Sequence, residues 1–465
     1  MNKIKEHRII IFGLGKSGMS CAHYFDRVGI KYTLVDTRNN LPNQSEIEQL
    51  THCQTTYLGN FDESILDNCK KLIVSPGIAL TNSLIVAAKN RNIKICGDID
   101  IFVENCNKKI IAITGSNGKS TVTELTENLI KAAGYKAQKA GNIGLPVLDY
   151  LENESSENEA DYFVLELSSF QLDITSILCA DVAVLLNISE DHMDRYQSFN
   201  DYIASKRSIF ESAKSKVFNL DDANCTPNKI KQSDIGFSIN QNLENLINSN
   251  YGIAELDFIK SKNYSLKING RHIVNSTKLS LTGKHNYANI LASLSVLELL
   301  DLKINEKVIN ELCRYQGMKH RFQLVSKSND CDWINDSKAT NVGATVAALN
   351  NFEPKSIQQL VLIAGGDSKQ SDLEPLRASL ENKVENLILL GKDAKLIASL
   401  TNKIKTYFVS SMVQAVEKAK ILIDSSNDNF KQSTVLLSPA CASLDMYSNF
   451  EERGDQFIHA VEALK

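Results

Sequence analysis

Proline and glycine are scarce in this sequence, which has 7 prolines and 22 glycines among 465 residues. A long low-complexity linker or a collagen-like repeat needs far more of both, so both are excluded. At the usual ~150 residues per domain, the length predicts about three domains. Short segments must connect them.

An excess of charge of either sign is also missing. The chain has 51 basic and 55 acidic residues, for a net charge of -4. Binding to nucleic acid or to an anionic membrane surface usually needs a basic excess, so the composition argues against both. An anionic ligand would have to be held by local basic side chains.

Long apolar runs are absent as well. No segment approaches the ~20 apolar residues that span a bilayer, and the run Ile9–Phe12 near the N-terminus is too short for a secretory signal. The ten cysteines form no C-x-x-C pair and lie mostly in apolar segments, which is typical of buried thiols in a reducing compartment. We therefore expect a cytoplasmic protein that does not insert into membranes.

What the sequence does contain is three series of apolar strands alternating with helical patterns. The series begin at Ile9–Phe12, at Ile110–Ile113 and near Cys313. Such alternation predicts an α/β fold with parallel, doubly wound sheets. Two shorter alternating runs, Tyr264–Ile268 and His272–Val274, predict antiparallel strands within the more polar stretch Asn219–Lys278 of the second series.

The first motif is Gly13-Leu14-Gly15-Lys16-Ser17-Gly18, which follows a strand and opens a helix, with Asp36 at the end of the next strand. This spacing is the dinucleotide-binding fingerprint. The motif requires only that a diphosphate binds at the N-terminus of a helix. NAD and a UDP-sugar both contain a diphosphate, so the motif does not distinguish between them. A glycine turn without a ligand would leave the same pattern.

The second motif is Thr114-Gly115-Ser116-Asn117-Gly118-Lys119-Ser120-Thr121, between a strand and a helix. Glycines let backbone N–H groups wrap phosphates, Lys119 supplies a positive charge, and Ser120 or Thr121 can bind Mg²⁺. The G-x-x-G-K-[ST] spacing is shorter than the common phosphate loop, which indicates a particular ATPase lineage.

Three further residues have both a functional and an ordinary interpretation. Glu166 ends the strand Tyr162–Leu167, where NTPases place a second Mg²⁺ ligand, but it could be an exposed acid. His192 lies among acids after Val182–Leu186 and could bind a hard cation, although a lone histidine is more often structural. Lys206 by itself would be interpreted as a solvated helix lysine.

The last third of the sequence repeats small and polar residues after strands. Arg321 and Lys338 can neutralise phosphoryl or carboxylate charge, and Asp336 could bind a nucleotide ribose. Glycine and serine loops follow at Gly365–Lys369 and Ser438–Ser443. In a doubly wound sheet such strand ends line a crevice.

Together these segments resemble the ATP-dependent Mur ligases of peptidoglycan synthesis, and within that family the members that add D-glutamate. The resemblance extends over essentially the whole chain. The segments that carry it are GLGKSG at 13–18, TGSNGKST at 114–121, LELSSFQL at 165–172, EDHMDRY at 190–196, HRF at 320–322, NDSKATN at 335–341, GGDSK at 365–369 and SPACASLD at 438–445.

The resemblance implies a reaction and a division of labour between domains. ATP would phosphorylate the carboxylate of UDP-N-acetylmuramoyl-L-alanine, and the amine of D-glutamate would attack the acyl phosphate, giving an amide, ADP and phosphate. We expect a Rossmann-like UDP-substrate domain at 1–107, a P-loop ATPase-like central domain with a mostly parallel sheet at 108–312, and a C-terminal Rossmann-like domain at 313–465 that binds the amino acid and part of ATP. We also expect a monomer.

The resemblance also assigns residues to ligands, position by position. The catalytic set would be Lys119, Glu166, His192 and Lys206, with Lys206 carbamylated by CO₂. Two Mg²⁺ ions would be bound by Ser120, Glu166, His192 and Lys206. ATP would contact Gly115, Ser116, Asn117, Gly118, Lys119, Ser120, Thr121, Asn289, Arg321 and Asp336. The UDP substrate would contact Gly15, Lys16, Ser17, Asp36, Thr37, Arg38, Asn142 and His192. D-Glutamate would contact Thr340, Lys369, Ser443 and Phe450.

Several alternatives remain open at this point. Another Mur ligase could take a different amino acid, and a folylpolyglutamate synthase would share the short phosphate loop but lack the first domain's GLGKSG unit. A nicotinamide-dependent dehydrogenase would explain the first domain alone. A non-catalytic nucleotide-binding scaffold is disfavoured because Lys119, Glu166, His192 and Lys206 are all present.

Overall fold

The computed structural model describes residues 8–152, 160–240, 250–260, 263–327, 331–352, 354, 359–425 and 433–464. The first seven residues, and residues 241–249 and 261–262 of the polar stretch, lie outside this description. Within the described ranges, no helix combines the length and the apolar character that crossing a membrane requires.

The first sheet is parallel, with strand order β3-β2-β1-β4-β5. Its strands are β1 (Arg8–Phe12), β2 (Tyr32–Asp36), β3 (Cys53–Leu58), β4 (Cys69–Val74) and β5 (Lys94–Cys96). Its helices are α1 (Lys16–Arg27), α2 (Gln44–Ile47), α3 (Ser83–Asn90) and α4 (Asp98–Asn105). β2 is buried along its whole length, because helices and loops cover both faces of a doubly wound sheet.

The second sheet has nine strands in the described part of the chain, in the order β14-β13-β12-β11-β10-β9-β6-β8-β7. They are β6 (Lys109–Thr114), β7 (Ala137–Gly141), β8 (Tyr162–Glu166), β9 (Val182–Leu185), β10 (Ser215–Asn219), β11 (Ile235–Ser238), β12 (Gly252–Lys260), β13 (Asn263–Ile268) and β14 (Arg271–Asn275). Its helices are α5 (Lys119–Ala132), α6 (Ser169–Ile174), α7 (Phe199–Arg207), α8 (Lys284–Leu299) and α9 (Glu306–Arg314). Pairing is parallel from β7 to β12 and antiparallel from β12 to β14, so the predicted antiparallel strands are confirmed at one edge.

The third sheet has the order β15-β16-β20-β17-β18-β19 and is parallel except for the β15–β16 pair. Its strands are β15 (Gln323–Lys327), β16 (Cys331–Asn335), β17 (Gln359–Ala364), β18 (Asn386–Leu389), β19 (Lys405–Phe408) and β20 (Ser433–Leu437). Its helices are α10 (Val342–Leu349), α11 (Leu376–Lys383), α12 (Ala394–Ser399), α13 (Met412–Asp424) and α14 (Phe450–Glu462). Apolar side chains pack on both faces of this sheet.

The three predicted α/β series are therefore confirmed, each with its own sheet. Several strands that the sequence did not predict lie at edges, among them β3 and β7. Much of β3 is solvent-accessible and β7 is only partly buried, so neither needs the apolar run by which a buried strand is recognised. The exact domain boundaries stay a prediction.

The chain forms two compact units. The first comprises Met1–Asn187, Tyr202–Leu279 and Tyr287–Cys313 and contains the first two sheets. The second comprises Ile188–Asp201, Ser280–Asn286 and Arg314–Lys465 and contains the third sheet.

Within the first unit, partly buried polar contacts join the first two sheets. Asp100 on α4 accepts hydrogen bonds from Ser176 N (2.8 Å), Ser176 Oγ (2.5 Å) and Ile177 N (3.2 Å) in the segment that follows α6. Ser20 on α1 donates to Asp149 at 2.6 Å. Hydrogen bonds to a charged acceptor are stronger than neutral ones, so these contacts fix the first sheet against the second.

Candidate active site

The phosphate loop joins β6 to α5 and is held in place by the end of β9. Ser116 N donates to Asn187 O at 2.8 Å, and Asn117 N donates to the Asn187 side chain at 2.8 Å. Gly118 precedes α5 with φ +88°, a left-handed conformation that favours glycine. A Cβ at Gly118 would lie 2.6 Å from Asn289 Oδ1. The predicted ATP residue Asn289 therefore does lie against the loop.

Two lysine ammonium groups converge on this loop. Lys119 Nζ donates to Gly115 O (2.8 Å) and Ser116 O (3.0 Å), and Lys206 Nζ donates to Gly115 O (3.0 Å). Lys206 is only 2% exposed, with its Nζ 4.9 Å from the centre of the Tyr202 ring. The interpretation of Lys206 as a solvated helix lysine is wrong. Burying a charged ammonium group is costly, and the Gly115 carbonyl oxygen and the Tyr202 ring offset part of that cost.

Glu166 lies at the carboxyl end of β8, in register with Ile113 of the neighbouring strand β6. It is 2% exposed and accepts a hydrogen bond from Asn142 Nδ2 at 3.0 Å on Oε1. The alternative of an exposed acid at a strand end is therefore wrong. Parallel pairing places this carboxylate at the same sheet edge as the phosphate loop.

These oxygen donors suit Mg²⁺. The Ser120 hydroxyl in the first turn of α5 and the Glu166 carboxylate are hard ligands of the kind that Mg²⁺ prefers. Among the described residues, no group of three or more His, Cys, Asp or Glu side chains could hold a metal ion.

The glycine-rich loop after β1 is tied to the end of β2. Leu14 N donates to Asp36 Oδ2 at 2.7 Å, and Arg38 forms a two-pronged pair with the same carboxylate. Of the other predicted UDP residues nearby, Gly15, Lys16 and Thr37 are exposed, and Ser17 in the first turn of α1 is half-buried. Asn142, predicted for the same substrate, lies instead beside Glu166.

In the second unit, Asp191 is the centre of a polar cluster. Its carboxylate accepts from Lys369 Nζ at 2.7 Å and from Asn341 Nδ2 at 3.3 Å. His192 Nε2 lies 3.8 Å from Asp191 Oδ1. His192 and Lys369 have φ of +57° and +53°. Non-glycine residues rarely adopt this conformation, which is often found where function demands a particular side-chain direction.

Asp336 is buried after β16. Oδ2 accepts from Ser438 Oγ at 2.9 Å and Oδ1 from Phe322 N at 3.1 Å. Burial raises the pKa of Asp336 to about 7, although these hydrogen bonds and the nearby Arg321 charge act in the opposite direction. Arg321 and Asp336, both predicted to contact ATP, are therefore close enough to interact.

Of the remaining predicted D-glutamate residues, Thr340 and Ser443 lie on loops of the third sheet and Phe450 is the first residue of α14. Ser443 is buried, Thr340 and Phe450 are half-buried, and the Lys338 ammonium lies 5.0 Å from the centre of the Phe450 ring. Ser337 Oγ donates to Phe450 O at 2.8 Å. This bond joins the loop after β16 to the start of α14.

Three family models match successive parts of the chain. These are the Mur ligase MurD-like N-terminal domain at residues 7–97, the Mur ligase middle domain at 113–297 and the Mur ligase glutamate ligase domain at 320–441. The UDP-N-acetylmuramoylalanine--D-glutamate ligase of Pseudoalteromonas translucida is 40% identical over 463 residues, covering 100% of this chain and 99% of that protein. This chain belongs to the Mur ligase family.

Other comparisons agree with this assignment. The ligase of the same name from Marinobacter nauticus is 37% identical over 466 residues, with 99% of each chain covered. A solved pseudomurein peptide ligase type C from Methanothermus fervidus shares 19% identity at a TM-score of 0.59, covering 99% of this chain and 100% of that one. At that identity the structural match supports the fold alone.

Within this Mur ligase, the predicted residues separate by unit. The first unit gathers the phosphate loop with Glu166, Lys206, Asn289 and Asn142, and it also contains the Asp36 loops. The second unit contains the residues predicted to bind D-glutamate. It also contains His192, predicted to bind Mg²⁺ and the UDP substrate, and Arg321 and Asp336, predicted to bind ATP.

The sequence interpretation of this Mur ligase missed Arg453. Its guanidinium is 2% exposed and donates to Ser337 O (2.7 Å), Ser337 Oγ (3.0 Å) and Cys441 O (3.1 Å). It thereby joins two loops that carry predicted D-glutamate residues. A signal was available, because Arg453 occupies the same helical face as the buried Phe457 and Ala460, where an arginine is unexpected.

We predict that Gly118→Ala weakens binding of ATP with Mg²⁺ by at least ~10-fold, because the new Cβ is strained and meets Asn289. Isothermal titration calorimetry measures this. Gly134→Ala is the matched control, since Gly134 also has positive φ (+101°) but nothing lies within 4 Å of its Cβ position. Equal weakening of ATP binding in both variants would contradict the prediction.

We also predict that Asp336→Asn alters the pH dependence of folding stability. Burial raises the pKa of Asp336 to about 7 in the folded protein, from the ordinary aspartate value of 3.8. The folded state therefore binds more protons between these values, and Asp336 makes the protein less stable as pH rises from about 4 to about 7. Urea unfolding midpoints should show the wild type losing stability relative to Asp336→Asn across that window. A difference that does not change with pH would refute this.

Proposed function

We propose that this chain is an ATP-dependent ligase that joins D-glutamate to UDP-N-acetylmuramoyl-L-alanine in peptidoglycan precursor synthesis. The observation that carries the proposal is the 40% identity, over the full length of both chains, to a relative with that name. The proposed reaction forms an acyl phosphate from the substrate carboxylate and the γ-phosphate of ATP, releasing ADP. Attack by the amine of D-glutamate then releases phosphate and leaves an amide.

The phosphate loop supports the first step. A carboxylate that attacks a triphosphate brings two anions together, so positive charge must surround both. Lys119, whose ammonium group donates to the carbonyl groups of Gly115 and Ser116 in this loop, would contact the ATP phosphates. The remaining loop residues and Asn289 would orient ATP by their polar groups.

Ser120 and Glu166 would hold Mg²⁺ in this proposal, and His192 and Lys206 complete the proposed set for two ions. A bound Mg²⁺ supplies positive charge that shields the phosphate oxygens. Asn142 orients the Glu166 carboxylate through its 3.0 Å hydrogen bond. In this proposal, Asn142 therefore positions a metal ligand in addition to contacting the UDP substrate.

Lys206 is proposed to react with CO₂. The ammonium group would first lose one proton, and the neutral amine would then bond to the carbon of CO₂ and lose a second proton. The cation would thereby become a carbamate anion that can bind metal. Burial supports this step because an ammonium group is costly to remove from water. The Gly115 carbonyl oxygen and the Tyr202 ring fix the position of Nζ.

The D-glutamate site is proposed at Lys369, Thr340, Ser443 and Phe450. Lys369 would attract a substrate carboxylate, and its pair with Asp191 fixes the ammonium position. Arg453 supports this site indirectly, since it holds the backbone of Ser337 and Cys441. Arg321 and Asp336 are proposed to contact the phosphates and ribose of ATP.

The UDP group is proposed to bind at the first sheet. Its diphosphate would lie at the N-terminus of α1, next to Gly15, Lys16 and Ser17, where the helix dipole favours an anion. Its uridine would lie near the end of β2, next to Thr37 and Arg38.

We also propose that the protein is a cytoplasmic monomer. None of the ten cysteines, all within the described residues, is in a disulfide, which fits a reducing compartment.

An amino-acid panel tests the proposed function. Phosphate release should require ATP, Mg²⁺, UDP-N-acetylmuramoyl-L-alanine and D-glutamate together, because the acyl phosphate forms on the first substrate and is consumed by the second. A coupled phosphate assay with D-glutamate, L-glutamate, diamino acids and folate substrates measures this. Equal activity with L-glutamate, or none with D-glutamate, would overturn the proposal.

The carbamate is tested by Lys206→Ala. We expect a loss of activity of about 100-fold, as is typical when a group that tunes a metal site is removed, with partial recovery on adding formate or acetate. Lys216→Ala is the control, because Lys216 is also buried and donates to Lys229 O at 2.6 Å in the same unit. No recovery, or the same recovery in both variants, would refute the carbamate.

A further inference from the structure

The acid that marks the nucleoside site is already saturated with hydrogen bonds. Asp36 Oδ1 accepts from Arg38 N and Nε, both at 2.9 Å. Oδ2 accepts from Leu14 N at 2.7 Å and from the terminal guanidinium nitrogen of Arg38 at 2.8 Å. A carboxylate offers about four acceptor positions, so a donor on a bound nucleoside needs another acceptor.

Asn43 provides one. It precedes the short helix α2, but its side chain forms no capping hydrogen bond, although asparagine at this position usually does. Its Nδ2 donates instead to Leu14 O at 3.4 Å. Leu14 therefore contacts Asp36 through its N–H and Asn43 through its carbonyl group, so the two side chains flank one residue of the glycine-rich loop.

The Asn43 Oδ1 atom is buried and has no hydrogen-bond partner among the residues that the structure describes. Leaving a buried acceptor unpaired destabilises the folded protein. Such groups are rare and call for an explanation, which can be a ligand. The position fits one, because the loops after β1 and β2 meet where a doubly wound sheet binds a nucleoside, beside the diphosphate at α1.

We propose that Asn43 Oδ1 accepts the N3–H of the uracil ring and selects uracil at this site. The proposal rests on the proposed function, which supplies a UDP-linked substrate. Uracil presents a single N–H donor, and a planar base edge can be buried against Oδ1 more readily than a ribose hydroxyl. Cytosine has an acceptor at N3, which would leave two acceptors facing each other.

The test uses the full chain with UDP, 3-methyl-UDP and 2′-deoxy-UDP as calorimetric probes. The wild type should prefer UDP to 3-methyl-UDP by at least about 10-fold, since one buried hydrogen bond is lost. Asn43→Ala should bind UDP about 10-fold more weakly and should bind the two probes within about threefold of each other. Asn43→Asp, which keeps an acceptor, should retain the preference for UDP.

Asn40→Ala is the matched control, because Asn40 is an exposed asparagine in the same loop, and it should bind UDP as the wild type does. The proposal is overturned if Asn43→Ala keeps the full preference for UDP over 3-methyl-UDP. It is also overturned if the variant loses only its discrimination against 2′-deoxy-UDP, which would assign Oδ1 to the ribose. If the wild type binds no UDP at all, the proposed function is overturned together with the role of Asn43. If the wild type binds UDP but Asn43→Ala keeps the full preference, only the role of Asn43 is overturned.

Discussion

Parallel pairing of β6 with β8 and β9 is the constraint on which the nucleotide half of the site depends. It places the ends of three strands at one edge of the second sheet, in the register Ile113–Glu166 and Thr114–Leu185. From that edge come the phosphate loop, the Glu166 carboxylate and the Asn187 side chain that holds the loop. A shift by one residue would direct Glu166 to the opposite face of the sheet, because side chains alternate along a strand.

In the second unit, strained backbone conformations and partly buried polar contacts fix the positions of the side chains. Lys369 and His192 adopt left-handed conformations beside the Asp191 carboxylate, and each such residue costs on the order of 1 kcal/mol. Ion pairing and hydrogen bonding among partly buried groups offset that cost. The result is a set of side chains with fixed directions on loops that would otherwise sample many conformations.

Sequence reasoning found most buried strands and both glycine-rich loops, because these depend on local patterns. An apolar run such as Leu360–Ala364, or a glycine next to a helix, can be recognised from a segment of about ten residues. It misjudged Lys206 and missed Arg453, whose environments come from distant segments: Gly115 for the first and Ser337 for the second. The resemblance to a family corrected the former but not the latter. The unpaired oxygen of Asn43 likewise depends on which groups the fold brings close.

Because this Mur ligase has a net charge of -4, it must bind anionic substrates through local positive groups and not through its overall charge. The cations at the site already have acceptors, but of different kinds. Lys119 donates to neutral carbonyl groups, so an incoming phosphate gains a charged hydrogen bond against weak competition. Lys369 is paired with Asp191, so a substrate carboxylate at the proposed D-glutamate site would have to share Lys369 with that acid or displace it. Asn341 donates to the same Asp191 carboxylate, so Asp191 would keep one hydrogen bond if a substrate carboxylate took its place beside Lys369.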